Sequence, residues 1–498
     1  MNATRRDILT IAAGAGALTA LGGCEKIVST LTEKLGEDVP DSIVPADGAS
    51  IDPIHHLLNR AGYGPWPGDV QRVRAMGAAA WIEQQLQPQA ISDDVCELRA
   101  SRCEGLDGPA AESHDYSKSQ LRESLARYAL LRATYSKRQL LETMVCFWSD
   151  HLNINIEKGD CIFYKPWDDR HVIRKHALGK FRDLIRASAV SPAMLVYLDG
   201  NHNKGALPED RPNENYGREL LELHTLGVHG GYTQRDVLET ARALTGWRIG
   251  TGFKTGDVYF DSREHDQREK SILGRKLPAG QNEKDLDDVV DIVCRHPATA
   301  RHIATKLVRR FVADEAPEAL VSEVAGVFRD TDGDIKRMVQ TVLLSDEFKT
   351  SAGAKFKPPF RFVVSALRAA GADTYAHRGL IEYLTRMGQG VFQFPTPDGY
   401  PDKTSPWLGT LLWRWNFAFV LAGNRVPSVN TPLQKLTGAI GATGDAAPAK
   451  FFEHFIGRAP TDDQLRALAE ARDESAGAKE VAERFAGLIV ASPAFQRY

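Results

Sequence analysis

The stretch from Asn213 to Gly227 constrains the fold of this chain more than any other. Leucine and tyrosine side chains occupy most of its circumference at helical spacing, which predicts a short helix that is largely buried. The remaining side is polar and carries Asn215, Arg218, Glu219 and Glu222. Charged groups on a buried helix must be paired or take part in chemistry, so the stretch predicts a core element and a candidate site together.

The two glutamates of this helix are the first candidates for catalysis. Glu219 and Glu222 are three positions apart and therefore reach the same side of a helix. Mutual repulsion raises the pKa of one carboxyl group in such a pair, which suits general acid–base catalysis. We expect Arg218 to keep the other one ionised. Two alternatives stay open: the pair binds a metal, or Arg218 and a distant basic residue neutralise both glutamates.

A polar loop that precedes the helix supplies candidate substrate-binding residues. Its aspartate, asparagine and lysine side chains suit the recognition of sugars or peptides. The same residue types also stabilise turns, which is the alternative for each of them singly. Together with Arg218 and Trp247, the predicted substrate-binding set comprises Asp199, Asn201, Lys204, Asn213 and Asn215.

The segment from Trp247 to Lys276 is the only convincing β stretch, because it is rich in glycine and alternates apolar with polar residues. It carries His265 and Asp266, which we interpret as a second acid–base pair that assists catalysis. The rest of the chain has helical periodicity. The predicted fold class is therefore mainly α, a multi-helix globular body with one small β-ribbon insertion.

Two further polar groups lie among aromatic residues. Trp148, Asp150 and His151 close a long helical pattern, in which we expect Trp148 in the core and His151 as a ligand or a helix cap. The loop Thr396–Asp402, together with Trp407, predicts exposed aromatic rings beside carboxylates. That pattern fits carbohydrate stacking and equally fits a rigid structural loop.

The N-terminus predicts export from the cytoplasm. Arg5 and Arg6 form a twin-arginine pattern. The apolar run Ile8–Leu21 that follows is too short to span a bilayer, as is typical of a signal peptide. The run Leu21–Cys24 resembles a lipobox, in which the Cys24 thiol takes a diacylglyceryl group. We therefore expect a periplasm-facing protein of the bacterial cell envelope, lipid-anchored after twin-arginine export.

These features divide the chain into three predicted parts. Residues 1–23 form the lipoprotein signal peptide, residues 24–50 a polar tether, and residues 51–498 a helical body. The body allows a subdivision near residue 280, which leaves a C-terminal helical half from 281 to 498.

Charge and motifs exclude several classes of protein. The formal net charge is −3 and no basic stripe appears, which argues against nucleic acid as a partner. Membrane contact is expected through the lipid alone. Motifs of serine hydrolases, nucleotide-binding enzymes and zincins are missing, so cofactor and metal content stay unassigned.

Cys96 with Cys103, and Cys146 with Cys161, are close enough in sequence to form disulfides.

Several short motifs, in order along the chain, are similar to those of one known family. They are Asn213–Gly227, Gly230–Thr233, Ala243–Trp247, His265–Asp266, His296–Ala300, Met387–Gln389, Pro395–Asp402 and Arg414–Asn416. From about His55 to the C-terminus, the sequence resembles the bacterial family catalogued as domain of unknown function 1800. The resemblance implies twin-arginine export and a partner protein similar to alkaline phosphatases and sulfatases, whose genes often lie beside those of this family. It implies no established activity.

Three functions follow as hypotheses. The first is an envelope enzyme that acts on a polysaccharide, peptidoglycan or another polar polymer, with Glu219 and Glu222 sharing the acid–base work. The second is a non-catalytic assembly or maturation partner of an exported phosphatase- or sulfatase-like protein. The third is a metalloprotein in which the glutamates, His265 and Asp266 serve as ligands.

Overall fold

The computed structural model of the chain describes residues 38–471 and 477–498. The twin-arginine pattern and Cys24 lie outside these residues, so export and lipid attachment stay predictions. The described residues are mostly helical, and their sheets are three small two-stranded ones, which confirms a mainly α fold. Within the described residues, no helix is both long and apolar enough to cross a membrane.

The helices are mostly short and follow one another along the whole described chain. Helices α1 to α12 are, in order, Pro53–Ala61, Asp69–Met76, Ala78–Gln85, Asp94–Ala100, Lys118–Tyr135, Gln139–His151, Cys161–Asp168, Phe181–Ala189, Pro192–Tyr197, Glu214–Glu219, Gln234–Ala243 and Lys284–Cys294. Helices α13 to α24 are Pro297–Phe311, Glu318–Asp330, Ile335–Leu344, Asp346–Lys349, Pro359–Ala369, Arg378–Arg386, Leu411–Ala422, Leu433–Ala439, Ala447–Ile456, Asp462–Glu470, Ala478–Ala491 and Pro493–Gln496. Two helices continue into π-helical segments, α7 into Asp169–Arg174 and α10 into Leu220–Thr225.

Local sequence signals determine where several helices begin. Asp52 caps α1, because its carboxylate accepts hydrogen bonds from the backbone N–H groups of Ile54 and His55. Thr233 and Asp236 form the predicted capping box of α11. Both helix starts are therefore confirmed.

The predicted β stretch forms two hairpins rather than one ribbon. The strands of the described residues are, in order, β1 (Trp247–Ile249), β2 (Val258–Phe260), β3 (Lys270–Ile272), β4 (Arg275–Leu277), β5 (Asp373–Thr374) and β6 (Val429–Asn430). They pair antiparallel, β1 with β2, β3 with β4, and β5 with β6. The last pair is absent from the prediction, because strands of two residues leave no alternation in a sequence.

Two hydrophobic cores hold the described residues together. The first is built from residues 57–348 and encloses Trp148, which confirms the predicted place of this side chain. Leu277 and Leu286, on either side of the subdivision predicted near residue 280, both belong to this core. The second core joins α17 to α24 with α5, so the C-terminal helices pack on an early one.

The end of the predicted tether is packed against the body. Val39 and Ile43 are buried in the second core, and the backbone N–H of Ile43 donates to the carbonyl oxygen of Ala439 in α20. These apolar residues stand apart in a polar stretch and produce no periodic signal in the sequence. The folded body therefore begins before residue 51, at least as early as Val39.

The described cysteines are all free thiols. Neither Cys96 with Cys103 nor Cys146 with Cys161 forms the disulfide that the sequence spacing allows. Cys146 lies inside α6 and Cys161 begins α7, so the rigid helices determine where each sulfur lies.

Candidate functional site

The element that carries the two glutamates changes helix type halfway along. Asn213 caps α10 by accepting a hydrogen bond from the backbone N–H of Asn215 at 2.9 Å, and Gly227 ends the element with φ +84°. Between them, α10 passes into the π segment Leu220–Thr225. The sequence predicts an uninterrupted α-helix here, because a single wide turn leaves no signal in hydrophobic spacing. Such π segments are frequent at functional sites.

Glu219 and Glu222 are both half-buried. Partial burial raises the pKa of Glu219, and the charges of Glu222 and Asp398 raise it further, against the opposing charge of Arg218. The guanidinium of Arg218 donates to the carboxylate of Glu214 at 2.8 Å. Arg218 thus forms its ion pair one turn away from the position that the sequence predicts.

Two tyrosines approach these carboxylates. The Tyr232 hydroxyl is hydrogen-bonded to Glu222, and burial together with this bond raises the pKa of Tyr232 to about 12. Burial also raises the pKa of Tyr197 to about 12, with smaller contributions from charges that include those of Glu219 and Asp398. Both hydroxyls therefore stay protonated near neutral pH; Tyr232 is hydrogen-bonded to Glu222, and Tyr197 donates to the carbonyl oxygen of Pro395 at 3.1 Å.

The loop Thr396–Asp402 brings Asp398 towards the glutamates. The side-chain amide of Asn153 holds the loop by donating to the carbonyl oxygen of Thr396 at 2.7 Å. Gly399 has φ +72°, and any side chain there would overlap the carbonyl oxygen of Asp150 at the end of α6. Below, Glu219, Glu222 and Asp398 are called the carboxylate group.

The aromatic rings of this loop are structural. Trp407 is buried, and its indole N–H donates to the carbonyl oxygen of Pro401 at 3.0 Å. The hydroxyl of Tyr400 donates to the carbonyl oxygen of Gly390 at 2.7 Å. The prediction of exposed rings is wrong for Trp407, because its polar atom holds the loop in place while its apolar body is buried.

A second set of charged residues includes the last residue of the loop; we call Asp150, His151, Lys306, Arg310 and Asp402 the inner cluster. Lys306 Nζ donates to His151 Nδ1 at 2.8 Å, and His151 Nε2 donates to the carbonyl oxygen of His224 at 3.0 Å. Since a carbonyl oxygen only accepts, the His151 proton is on Nε2 and the imidazole is neutral. Burial, and then the charge of Lys306, hold the pKa of His151 well below its usual range.

The two carboxyl groups of the inner cluster differ in acidity. Arg310 donates to Asp402 at 2.8 Å, and Arg310 and Lys355 hold the pKa of Asp402 below its usual range although burial opposes this. Burial, and then the charge of Asp402, raise the pKa of Asp150 to about 7 despite Arg310 and Lys306. A pair of carboxyl groups with separated pKa values can hold one proton near neutral pH.

Asp398 connects the carboxylate group with the inner cluster. Its charge raises the pKa of Glu219. The same charge opposes the lowering of the Lys306 pKa that burial causes. Sequence reasoning missed Lys306, because nothing in the helical pattern of α13 separates it from an ordinary surface lysine.

A cavity of about 60 Å³ adjoins Asp150. Its wall includes Ser149, whose Oγ has no hydrogen-bond partner among the described residues, and the ion pair of Glu142 with Arg174 at 2.8 Å. The aromatic part of the wall comprises Tyr63, Tyr128, Phe360, Phe392 and Tyr400. The volume is sufficient for a few water molecules, so a proton on Asp150 has a route for exchange.

Replacing Asp150 with asparagine is expected to stabilise the protein at pH 8 by about 1–2 kcal/mol. The pKa of Asp150 is raised on folding, so its contribution to stability is complete at acidic pH and is lost as the pH rises through about 7. Above that pH the folded chain must hold a buried carboxylate, which asparagine avoids. Urea unfolding at pH 8 and pH 4 measures the effect. A gain that is equal at both pH values would contradict the titration.

The predicted substrate-binding loop contacts α10 through Asp199. The carboxylate of Asp199, whose backbone has φ +58°, accepts hydrogen bonds from Lys158 at 3.1 Å and from the side chain of Asn215 at 3.2 Å. Lys204 is exposed and pairs with Asp210 at 3.6 Å. The Asn201 side chain is partly exposed and lies 3.2 Å from the ring of the neighbouring His202. The loop thus places its polar side chains at or near the surface beside the carboxylate group.

Asn203 is the residue of this loop that sequence reasoning missed. It is buried, its side-chain oxygen accepts from the backbone N–H of Asn213, and its side-chain nitrogen donates to the carbonyl oxygen of Ala241, both at 2.8 Å. Asn203 therefore joins the loop to α10 and α11. A buried asparagine in a polar loop carries no signal that distinguishes it from exposed ones.

His265 and Asp266 lie inside a buried ion network. His265 Nε2 is 3.0 Å from the carboxylate of Asp285, and Asp266 accepts a hydrogen bond from Arg242 in α11 at 2.7 Å. The two side chains are completely buried between the β hairpins and α11. Trp247 is also buried, with its ring against Phe260. A catalytic role for His265 and Asp266, and a substrate-binding role for Trp247, stay predictions.

Across residues 38–471 and 477–498, no three histidine, cysteine, aspartate or glutamate side chains are grouped so that they could hold a metal ion. The four residues proposed as ligands divide between the carboxylate group and the buried network of Asp285.

The comparisons with known proteins identify a family. The family model described as "Protein of unknown function (DUF1800)" matches residues 56–497. Neither the curated proteins nor the solved structures compared with the chain include a match. The family match covers nearly the whole chain and confirms the resemblance drawn from the motifs. The chain therefore belongs to the DUF1800 family of proteins of unknown function.

Proposed function

We propose that the protein is an exported, lipid-anchored envelope enzyme that acts on a polysaccharide, peptidoglycan or another polar polymer by acid–base catalysis. The observation that carries this proposal is the half-buried carboxyl group of Glu219, whose pKa is raised by burial and by the charges of Glu222 and Asp398. A carboxylic acid beside a second carboxylate is the arrangement that divides acid and base roles between two like residues.

In this proposal the carboxylate group carries out both proton transfers. Glu219 is the acid and gives its proton to the leaving group of the cleaved bond. Glu222 is the base and accepts a proton from the attacking water, and its hydrogen bond with Tyr232 orients it. The atoms balance because one water is added across the bond that breaks. In this proposal Asp199, beside α10, and Asn215, in its first turn, bind hydroxyl or amide groups of the polymer.

The test is the release of soluble fragments from isolated peptidoglycan and from envelope polysaccharides across a range of pH. A general acid must be protonated, so we expect turnover to fall as the pH rises through the pKa of Glu219. If folded protein releases no fragments from any polar envelope polymer, the proposal is wrong.

Replacing Asp398 with asparagine is expected to move the alkaline limb of this pH profile to lower pH. The change removes one of the negative charges that raise the pKa of Glu219, so Glu219 loses its proton earlier. Asp94→Asn, on the exposed first turn of α4, is a matched control and should leave the profile unchanged. An alkaline limb that does not move in Asp398→Asn would show that Glu219 is not the titrating acid.

A further inference from the structure

One side of helix α19 is apolar and exposed to solvent. It consists of Leu408, just ahead of the helix, and Leu411, Leu412, Trp415 and Phe419, which we call the apolar face. The side chains recur at helical spacing, with 65% of Leu412 and 50% of Trp415 exposed. The opposite side of α19 contributes Phe417 to the second core, and the helix packs on α23, where the Phe419 ring lies against Gly487. A contiguous exposed apolar patch of this kind marks a binding surface.

Two arginines lie beside the apolar face. Arg386 lies over the ring of Trp413, with its guanidinium carbon 4.5 Å from the ring centroid, and also pairs with Glu382. Arg425 is exposed and donates to the carbonyl oxygen of Phe419 at 3.4 Å. Leucine and tryptophan beside arginine are typical of surfaces that enter the headgroup region of an anionic bilayer.

The N-terminal end of the described residues contacts the group of helices to which α19 belongs. Asp38 pairs with Lys435 on α20, and α20 packs on α23, as α19 does. Residues 25–37 separate Asp38 from Cys24, and a chain of that length spans at most about 50 Å. A lipid on Cys24 would therefore keep the bundle that carries the apolar face near the membrane.

We propose that the apolar face binds the lipid bilayer, with Leu412 and Trp415 inserted among the headgroups. The proposal rests on the lipid attachment in the proposed function and is independent of the acid–base chemistry. Two contacts, a lipid chain and an apolar face, orient the body on the membrane, whereas a lipid alone leaves it free to rotate.

The experiment uses full-length protein, exported by its native route and reconstituted on vesicles of phosphatidylethanolamine and phosphatidylglycerol with brominated acyl chains. Trp415 is the one exposed tryptophan among the eight of the chain. We expect the bromine to reduce tryptophan emission, and we expect this loss to disappear in Trp415→Phe. Leu412→Glu should abolish the quenching while the protein still floats with the vesicles. Leu98→Glu, on an exposed part of α4, is the matched control and should keep the quenching.

Each other outcome overturns the proposal. Vesicle-bound protein whose Trp415 is not quenched has the apolar face turned away from the bilayer. A dimer in detergent that Leu412→Glu converts to a monomer identifies a second copy as the occupant. Protein that does not float lacks the lipid, and then the membrane proposal fails whatever the result of the polymer assay.

Discussion

Replacing Glu219 with glutamine is expected to lower polymer turnover by roughly 10²–10⁴-fold, the usual contribution of a general acid. Glutamine has nearly the same shape as glutamate but has no acidic proton to transfer. The substitution also removes the repulsion that Glu219 experiences from Glu222 and Asp398, so the folded state should be as stable as before. Initial rates on the released fragments, together with urea unfolding, measure both effects.

Glu214→Gln is the matched control for this experiment. Glu214 lies on the same helix, and its ion pair with Arg218 at 2.8 Å is partly exposed. Because exposed pairs contribute at most about 1 kcal/mol, Glu214→Gln should keep both activity and stability. A Glu219→Gln protein that is fully active would remove Glu219 as the acid, and one that is unfolded would mark it as structural.

The second large effect is expected in the buried network behind α11, where Asp285→Ala should destabilise the protein by about 3–5 kcal/mol. The carboxylate of Asp285 accepts from Lys270 at 2.7 Å and lies 3.0 Å from His265 Nε2, and all three side chains are buried. Alanine leaves the Lys270 ammonium buried without its counter-ion. The free energy of unfolding in urea measures the loss.

Two variants separate this effect from a general weakness of α12. Asp288→Ala removes a carboxylate one turn further along, where a partly exposed pair with Lys284 at 2.9 Å should contribute no more than about 1 kcal/mol. Adding Lys270→Met to Asp285→Ala removes the unpaired charge and should restore part of the stability. If Asp285→Ala and Asp288→Ala lower the free energy of unfolding equally, the buried pair contributes no more stability than the partly exposed pair.

The pH dependence of the same network follows from the acidity of Asp285. Hydrogen bonds from His265 and Lys270 hold the pKa of Asp285 below its usual range, although burial opposes them. The contribution of Asp285 to the free energy of unfolding is therefore complete above the ordinary carboxyl pKa of about 3.9. It is lost as the pH falls through the lower pKa of the folded state. Asp285→Ala should consequently show less acid destabilisation than the native protein.

Features that depend on neighbouring residues were predictable from the sequence. The cap at Asp52 and the capping box at Thr233 depend on atoms within one turn, so composition and position are enough to place them. The mainly α class follows from hydrophobic spacing, which every buried helix repeats. The stretch Asn213–Gly227 was recognised for the same reason.

Features that depend on distant residues were not predictable. The contact of Lys306 with His151, and the charge of Asp402 on Asp150, join positions far apart in the chain. The ion pair of Arg218 with Glu214, one turn back on the same helix, was not predicted, although the charge of Arg218 also lowers the pKa of Glu219. Packing decides with which of several nearby carboxylates an arginine forms an ion pair. The spacing of residues in the sequence does not contain this information.

The position of Asp398 has a consequence for how the whole region exchanges protons. This one carboxylate influences both Glu219 and Lys306, and Lys306 in turn influences Asp150. A hydrogen ion taken up at any of them changes the electric potential at the others, so the apparent ionisation constants belong to the ensemble of residues. A change in the charge of Asp398 would therefore act on Glu219 and on Lys306 at the same time.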